Sequence, residues 1–400
     1  MRKIKILQFP IANSFGGITH YAVNNWKWMD KNIFQCDFST MSRSLFFASD
    51  LEAMGSKIHY ISCYAEQNKE QFIKEFDAIL DNGYDVVHLH TKQWKSFLVE
   101  ELCKSHGVKK VIVHSHSTRC DNNNEELRKK ETEEHYRVRD LFNESLATDF
   151  WACSKLAADW LFGDRIESSR IKIMNNAIET DKFLYDSNIR NKLRARYNLE
   201  NRFVIGNVGR LVYQKNQSFL IDVFAEVSKS CKDAVLVLIG DGELELALKQ
   251  QCKKLGIEDR VLFIGKQTNV NELYSMMDLF VLPSNFEGLP ITLVEAQASG
   301  IKCLASDVIT KEVALCDNIQ FLPLVKNVWK ENMITRINDP FYDRTDMKNV
   351  IVENGYDSME QIMLIQNEYA KNISGGGLKY SIISSCSTWF SSSSARRSAA

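Results

Sequence analysis

Short apolar runs, each followed by an amphipathic stretch, recur along this chain, stop near residue 180 and begin again near residue 203. In the first series the runs fall at 4–9, 58–61, 86–89, 111–113, 150–152 and 171–174. Helical spacing lies between them, as at 21–29, 71–80 and 125–146. A parallel strand connection needs a crossover long enough to hold a helix, so this alternation predicts a parallel sheet covered on both faces. The second series predicts strands at 203–208, 235–239, 261–264, 279–282 and 303–305, with helices at 218–230, 244–255, 270–276 and 291–299. Four hundred residues exceed what one core fills, so the restart implies two doubly wound α/β domains facing each other across a cleft. The expected division is 1–180, a linker at 181–201, a second domain at 202–371 and a tail at 372–400. Helical spacing at 356–371 predicts a helix that closes the second domain or crosses back to the first. In the linker, Arg190, Lys192, Arg194 and Arg196 read as a solvated helix face. The serine-rich, non-periodic stretch 372–400 cannot assemble a core and reads as a disordered tail.

Composition narrows the function classes. Fifty basic residues balance 51 acidic ones, so no field argues for a nucleic-acid partner. Ten cysteines are scattered without a C-x-x-C pair, which fits a reduced, cytoplasmic compartment and offers no metal-ligand spacing. The basic N-terminus precedes an apolar run too short for a signal peptide and is expected to be the first strand. No apolar run approaches the roughly 18 residues that a spanning helix needs. Peripheral contact with an inner membrane stays open.

Ligands of doubly wound sheets bind beyond the carboxyl ends of the strands, and the motifs sit there. After the run 279–282, the stretch 284–296 is a tight loop and a helix start, with Pro290 at or near the first helical position. The amides of Gly288, Leu289 and Ile291 would point out of that helix end and attract an anion. Glu287 and Glu295 frame it, because helical side chains lean toward the N-terminus. Taken alone, a solvated Glu287 and a helix-surface Glu295 are the more ordinary reading. After 203–208 come Gly209, Arg210 and Lys215, whose two cations suit a diphosphate, the guanidinium as a planar fork and the ammonium as a point charge. Gly240-Asp241-Gly242 and the loop at Gly265 follow the next two strands, where tight backbone would leave room for a nucleotide. In the first half, Gly16 and Gly17 permit close backbone approach, Thr19 is a helix-cap candidate, and the G-x-G-x-x-G fingerprint is missing. His114 and His116 follow 111–113 and point to one side by strand alternation; an isolated His-x-His is more often structural. His88 and His90 read as satisfied core or rim histidines.

In order and spacing, these pieces resemble retaining glycosyltransferases of the GT-B fold, family 4. The resembling residues are Gly209-Arg210-Leu211 with Lys215, Gly240-Asp241-Gly242, and Glu287-Gly288-Leu289-Pro290 through Glu295-Ala296 with Gly300. Gly16-Gly17 and His114-Ser115-His116 match capsular and exopolysaccharide members. The resemblance implies two Rossmann-like domains, the first for the acceptor and the second for a nucleotide-sugar donor, with a UDP-sugar favoured. It implies no metal and no cofactor. Arg210 and Lys215 would hold the diphosphate, Glu295 the ribose, Glu287 and His116 the transferred sugar, with His114 second to His116. Gly288 to Ile291 would offer amides to sugar or phosphate. The implied acceptor is a glycan or lipid-linked sugar in surface polysaccharide synthesis. A nucleotide-sugar epimerase or hydrolase of the same fold, or a silent nucleotide-sugar binding protein, are the alternatives. Two departures, Asn175-Asn176-Ala177-Ile178 in place of an Asn-Gly turn and Gly300-Ile301-Lys302 in place of a proline, touch local geometry rather than chemistry.

Overall fold

The computed structural model describes residues 2–13, 16–339, 344 and 346–373. Ser14 and Phe15 of the first glycine motif, and the serine-rich stretch from 374 on, lie outside the described residues. One sheet contains β1 (Ile4–Ile11), β2 (Phe34–Thr40), β3 (Ile58–Tyr60), β4 (Val86–Thr91), β5 (Lys110–Ser115), β6 (Asp149–Ala152) and β7 (Ile171–Ile173), in the order β3-β2-β1-β4-β5-β6-β7. The other contains β8 (Phe203–Val208), β9 (Ala234–Ile239), β10 (Val261–Gly265), β11 (Leu279–Leu282), β12 (Lys302–Ser306) and β13 (Ile319–Leu322), in the order β10-β9-β8-β11-β12-β13. Neighbours pair in parallel throughout. Both sheets are doubly wound, as the alternation predicts. In each, the strand order reverses beside the first strand, between β1 and β4 and between β8 and β11. Those two points are where a crevice opens.

Sequence spacing missed β2 and β13. Gln35, Asp37 and Ser39 interrupt β2 and make it read as a loop. Asp37 is nonetheless buried, because its carboxylate accepts hydrogen bonds from Tyr84 Oη (2.9 Å) and the Lys57 amide (2.9 Å). β13 is a four-residue edge strand, too short to carry a period. The expected helix over 125–146 stops at Arg139 and resumes as a single 3₁₀ turn, Glu144–Leu146.

The helix Ser358–Ala370 crosses back to the first sheet. Its Ile362, Ile365 and Tyr369 share a core with Ile4, Ile6 and Trp26. The crossing is fixed by a bridge in which the Ile178 amide donates to Tyr356 O and the Ser358 amide to Ile178 O, each at 2.9 Å. The last helix of the expected 202–371 domain therefore packs on the other half.

The linker corrects a second expectation. Helix Ser187–Tyr197 starts where the Asp186 carboxylate accepts from the Asn188 (2.7 Å) and Ile189 (3.0 Å) amides, a capping arrangement. Arg190 and Arg194 do not face solvent. Both clamp Asp278, and Arg194 also donates to Met276 O at 3.0 Å and Arg202 O at 3.1 Å. Asp278 in turn accepts the Val204 amide at 2.7 Å, so the charged linker is bolted to the start of β8. No helix among the described residues is long and apolar enough to cross a membrane.

Candidate active site

The β8/β11 reversal point brings together the two stretches with the strongest chemistry. After β11, the chain turns through Ser284 to Pro290 and enters helix Ile291–Ala298. Pro290 is the N-cap, with φ −77° and ψ 95°, one place earlier than spacing suggested. The amides of Gly288, Leu289 and Ile291 make no hydrogen bond to the described residues, leaving the donors that an anion would use.

Glu287 faces the loop that follows β8. Its Oε1 accepts from Lys215 Nζ (2.7 Å) and Ser284 Oγ (2.7 Å), and its Oε2 from Gln214 Nε2 (3.1 Å). Gln214 and Ser284 are not singled out by any spacing in the sequence, since neither stands in a helix-capping position. The loops are tied further by Asn285, whose amide donates to Gln214 O and whose Nδ2 donates to Tyr213 O, both at 2.8 Å. Arg210 is exposed and pairs with Asp121 of the first half at 2.8 Å. Each expected phosphate-binding cation thus holds a carboxylate oxygen, from Asp121 or Glu287.

Glu295 lies on the inner side of its helix, buried, with Oε2 accepting from Tyr274 Oη at 2.6 Å. Burial raises its pKa to about 7, opposed by the Tyr274 hydrogen bond and the Lys215 charge. Glu295 and Glu287 therefore occupy different environments, one apolar and one ringed by donors. Tyr274, in the helix before β11, was not foreseen, since its aromatic ring reads as core.

The glycines divide by what occupies the space above them. A Cβ on Gly242 would lie 2.4 Å from Leu211 O, and one on Gly240 2.1 Å from Gly209 O. The neighbouring loop fills the room on the Cβ side of both glycines. At Gly209 the Lys215 side chain lies 3.0 to 3.3 Å from the Cβ position, so the glycine lets the ammonium stem pass. A Cβ on Gly288 would meet His116 O at 2.3 Å and Cys153 Sγ at 3.0 Å. This glycine allows the two halves to touch. Leu289 is buried in the core beside it. Gly16 caps helix Gly17–Trp28 without a side chain, and at Gly17 a Cβ would meet nothing within 4 Å. Thr19 lies inside that helix and accepts the Ala12 amide at 3.1 Å, tying β1 to the helix instead of capping it.

Further contacts cross between the halves. Thr118 Oγ1 donates to Glu287 O (3.1 Å) and Ser154 Oγ to Gly288 O (2.6 Å). Asn123 Oδ1 accepts the Tyr213 amide (2.8 Å), and Arg128 stacks 3.6 Å above the Tyr213 ring.

His116 sits just past β5, partly exposed, against the donor loop. His114 is fully buried. Alternation does put both on one side, with ring centroids 4.0 Å apart, but β5 carries His114 one pleat deeper, beneath the wall it was expected to line. His88 and His90 stack beside them as satisfied core residues. His88, His90 and His114 each bring one nitrogen within 4.8 Å of the others, which is the composition of a metal cage. The rings stack, His88 on His90 at 4.3 Å and 28°, His88 on His114 at 5.2 Å and 19°. Five of their six nitrogens hydrogen-bond within the network, to each other, His116, Gln8 and Tyr369, and only His114 Nε2 is without a partner among the described residues, so three lone pairs do not converge on one point as a metal needs. Burial pushes all four imidazoles below their ordinary pKa, His90 to about 3, so the cluster is neutral.

Two facing doubly wound sheets with phosphate-type donors at one reversal point define a GT-B glycosyltransferase architecture. Residues 189–357 match the family model for glycosyl transferases, group 1. The chain is 29% identical over 373 residues to the putative glycosyltransferase EpsF of Bacillus subtilis (strain 168), covering 91% of this chain and 96% of that one. It is 25% identical over 253 residues to the Escherichia coli UDP-Gal:alpha-D-GlcNAc-diphosphoundecaprenol alpha-1,3-galactosyltransferase, covering 60% of this chain and 62% of that one. The structure of Anabaena HepE in complex with UDP and glucose superposes with a TM-score of 0.73 at 16% identity, covering 92% of this chain and all of that one (100%). The fold is GT-B, and the chain is a glycosyltransferase whose residues 189–357 are similar to the group 1 family.

Proposed function

We propose that this chain is a retaining, family 4 glycosyltransferase that moves a sugar from a UDP-sugar to a glycan or lipid-linked acceptor in surface polysaccharide synthesis. The observation that carries it is the set of uncommitted amides at Gly288, Leu289 and Ile291, set beside Lys215 and Arg210 at the β8/β11 reversal point. A donor diphosphate would satisfy those amides and draw Lys215 and Arg210 from the carboxylates they now hold. As the bond from the anomeric carbon to the diphosphate breaks, charge grows on the leaving oxygen, and fixed cations stabilise it. The acceptor hydroxyl attacks the same face, and its proton passes to the departing phosphate oxygen. Glu287 is not a nucleophile here: three donors hold its carboxylate, whereas double displacement needs a free carboxylate at the anomeric carbon. Glu287 and His116 would line the transferred sugar, and Glu295 would accept the ribose hydroxyls. The name of the Escherichia coli relative, with its UDP-galactose and diphosphoundecaprenol, and the UDP in HepE support the UDP donor. A lipid-linked acceptor would bring a cytoplasmic enzyme against the inner membrane face.

A thermal-shift screen of UDP-, GDP- and ADP-sugars tests the donor, since a ligand of the folded state raises its melting temperature. The UDP-sugar series should stabilise the protein, and Lys215→Ala should weaken UDP binding by about 1.5 to 3 kcal/mol, one charge-assisted contact. Equal UDP affinity in wild type and variant would remove Lys215 from the site. Product analysis separates the alternatives: transfer needs an acceptor, epimerisation or hydrolysis does not, and a binder yields neither.

A further inference from the structure

One buried amide connects all four clustered histidines to the C-terminal helix. Gln8, on β1, is 2% exposed. Its Oε1 lies 2.8 Å from His90 Nε2, and its Nε2 donates to Tyr369 Oη at 3.0 Å. From there the contacts run in two branches. His90 Nδ1 lies 2.9 Å from His116 Nε2. Tyr369 Oη lies 2.7 Å from His88 Nδ1, and His88 Nε2 lies 3.1 Å from His114 Nδ1.

Neutral imidazole carries one proton, and an amide oxygen only accepts. His90 must therefore place its proton on Nε2, toward Gln8. Its bare Nδ1 then accepts, so His116 carries its proton on Nε2. In the other branch, Tyr369 Oη accepts the Gln8 N–H and has a second lone pair and one hydrogen to offer, so it can donate to His88 Nδ1 or accept from it. The tautomers of His88 and His114 are therefore tied to each other through their shared hydrogen bond and not to Gln8, and His114 Nε2 has no partner among the described residues. Turning the Gln8 amide over would move the His90 and His116 protons to Nδ1. The tautomers of His90 and His116 are thus one variable, and Gln8 sets it.

We propose that Gln8, with His90 and Tyr369, positions the proton of His116, so that His116 meets the cleft with a bare Nδ1 that accepts a hydrogen bond from a sugar hydroxyl. His116 Nδ1 makes no hydrogen bond to the described residues, in keeping with that role. This rests on the reading of His116 as a sugar contact. The charge state supports it: burial keeps the rings neutral, and only a neutral ring has a lone pair to offer. Tyr21 is set edge-on to all four rings and burial raises the pKa of both Tyr21 and Tyr369, while the Lys92 charge adds to the burial and the His90 interaction that lower the His116 pKa. Tyr369 sits on helix Ser358–Ala370, so the segment that crosses back from the second half fixes a proton in the wall of the first.

Long-range ¹H–¹⁵N spectra of the histidine-labelled full chain read the tautomers directly, with His116→Ala identifying the His116 signals. His90 and His116 should both be protonated at Nε2. Opposite tautomers in the two would break the linkage, and Nδ1 protonation in both would overturn the direction assigned to Gln8. In Gln8→Leu, His116 should lose its single tautomer. Turnover of the sugar nucleotide selected by the screen above should fall about tenfold in kcat, with UDP affinity unchanged, as expected for one oriented transition-state hydrogen bond. Unchanged kcat in a folded Gln8→Leu, alongside a damaged His116→Ala, overturns the positioning role alone. Wild-type turnover in His116→Ala would instead sink the sugar-contact reading. The wild-type spectrum decides the tautomer linkage even if Gln8→Leu does not fold.

Discussion

Gly288→Ala tests whether the two halves work as one site. A Cβ there would stand 2.3 Å from His116 O and 2.7 Å from its carbonyl carbon. Both are backbone atoms of a central strand's end, with no rotamer to yield, so the loop has to retreat by about 1 Å to reach ordinary contact. Ser154 Oγ to Gly288 O, now 2.6 Å, would stretch past hydrogen-bond range, and Thr118 to Glu287 O, now 3.1 Å, would follow. Two hydrogen bonds at about 0.5 to 1.5 kcal/mol each, with about 1 to 3 kcal/mol of strain from one inserted methyl, put the loss at about 2 to 6 kcal/mol. Because His116 and the donor loop would also separate, transfer should fall by about a hundredfold. Lys215, Arg210 and the loop amides belong to one half and move together, so UDP affinity should stay within a small factor of wild type. The assays are transfer kinetics, UDP titration and thermal unfolding of the purified variant. Wild-type turnover with an unchanged melting temperature would refute the close-contact argument; a parallel loss of UDP affinity would show that the donor site depends on the first half.

Two further outcomes follow from buried charge. Glu295 has its pKa raised to about 7 by burial, so the folded state binds a proton that the unfolded chain releases near 4.5. Its contribution to stability is therefore complete below pH 4.5 and is lost as pH rises through 7. Glu295→Gln should flatten that part of the stability curve between pH 4.5 and 7 while weakening nucleotide binding, and urea titrations at several pH values would expose an unchanged slope. Asp278→Ala removes the shared partner of Arg190 and Arg194, whose side chains are 20% and 8% exposed. Leaving those charges unpaired should cost about 3 to 5 kcal/mol, read by denaturant unfolding, and a loss under 1 kcal/mol would mean the arginines find water instead.

The sequence by itself determined the architecture and the position of the chemistry along the chain. Strand runs buried on both faces are nearly continuous in apolar residues, so β8, β9 and β11 could be read directly, and whatever follows them must stand at a carboxyl edge. That logic placed Arg210, Lys215, Glu287 and His116 at the carboxyl edges of their sheets, where the structure has them. It could not find β2, whose Asp37 is acceptable in a strand only because Tyr84 and Lys57 come from elsewhere to satisfy it. The charges of Arg190 and Arg194 misled for a matching reason: a helix face looks solvated until its counter-ion, here 84 to 88 positions away, is known. Tertiary structure alone decided which loops meet. Strand order sets the loop after β8 beside the loop after β11, although β9 and β10 lie between them along the chain, and it sets the Gly240 loop against Gly209. The same topology returned helix Ser358–Ala370 to the first sheet and joined Tyr369 to Gln8 across 361 positions. A hydrogen bond between residues so far apart leaves no trace in local spacing, because each partner alone looks like an ordinary member of a core.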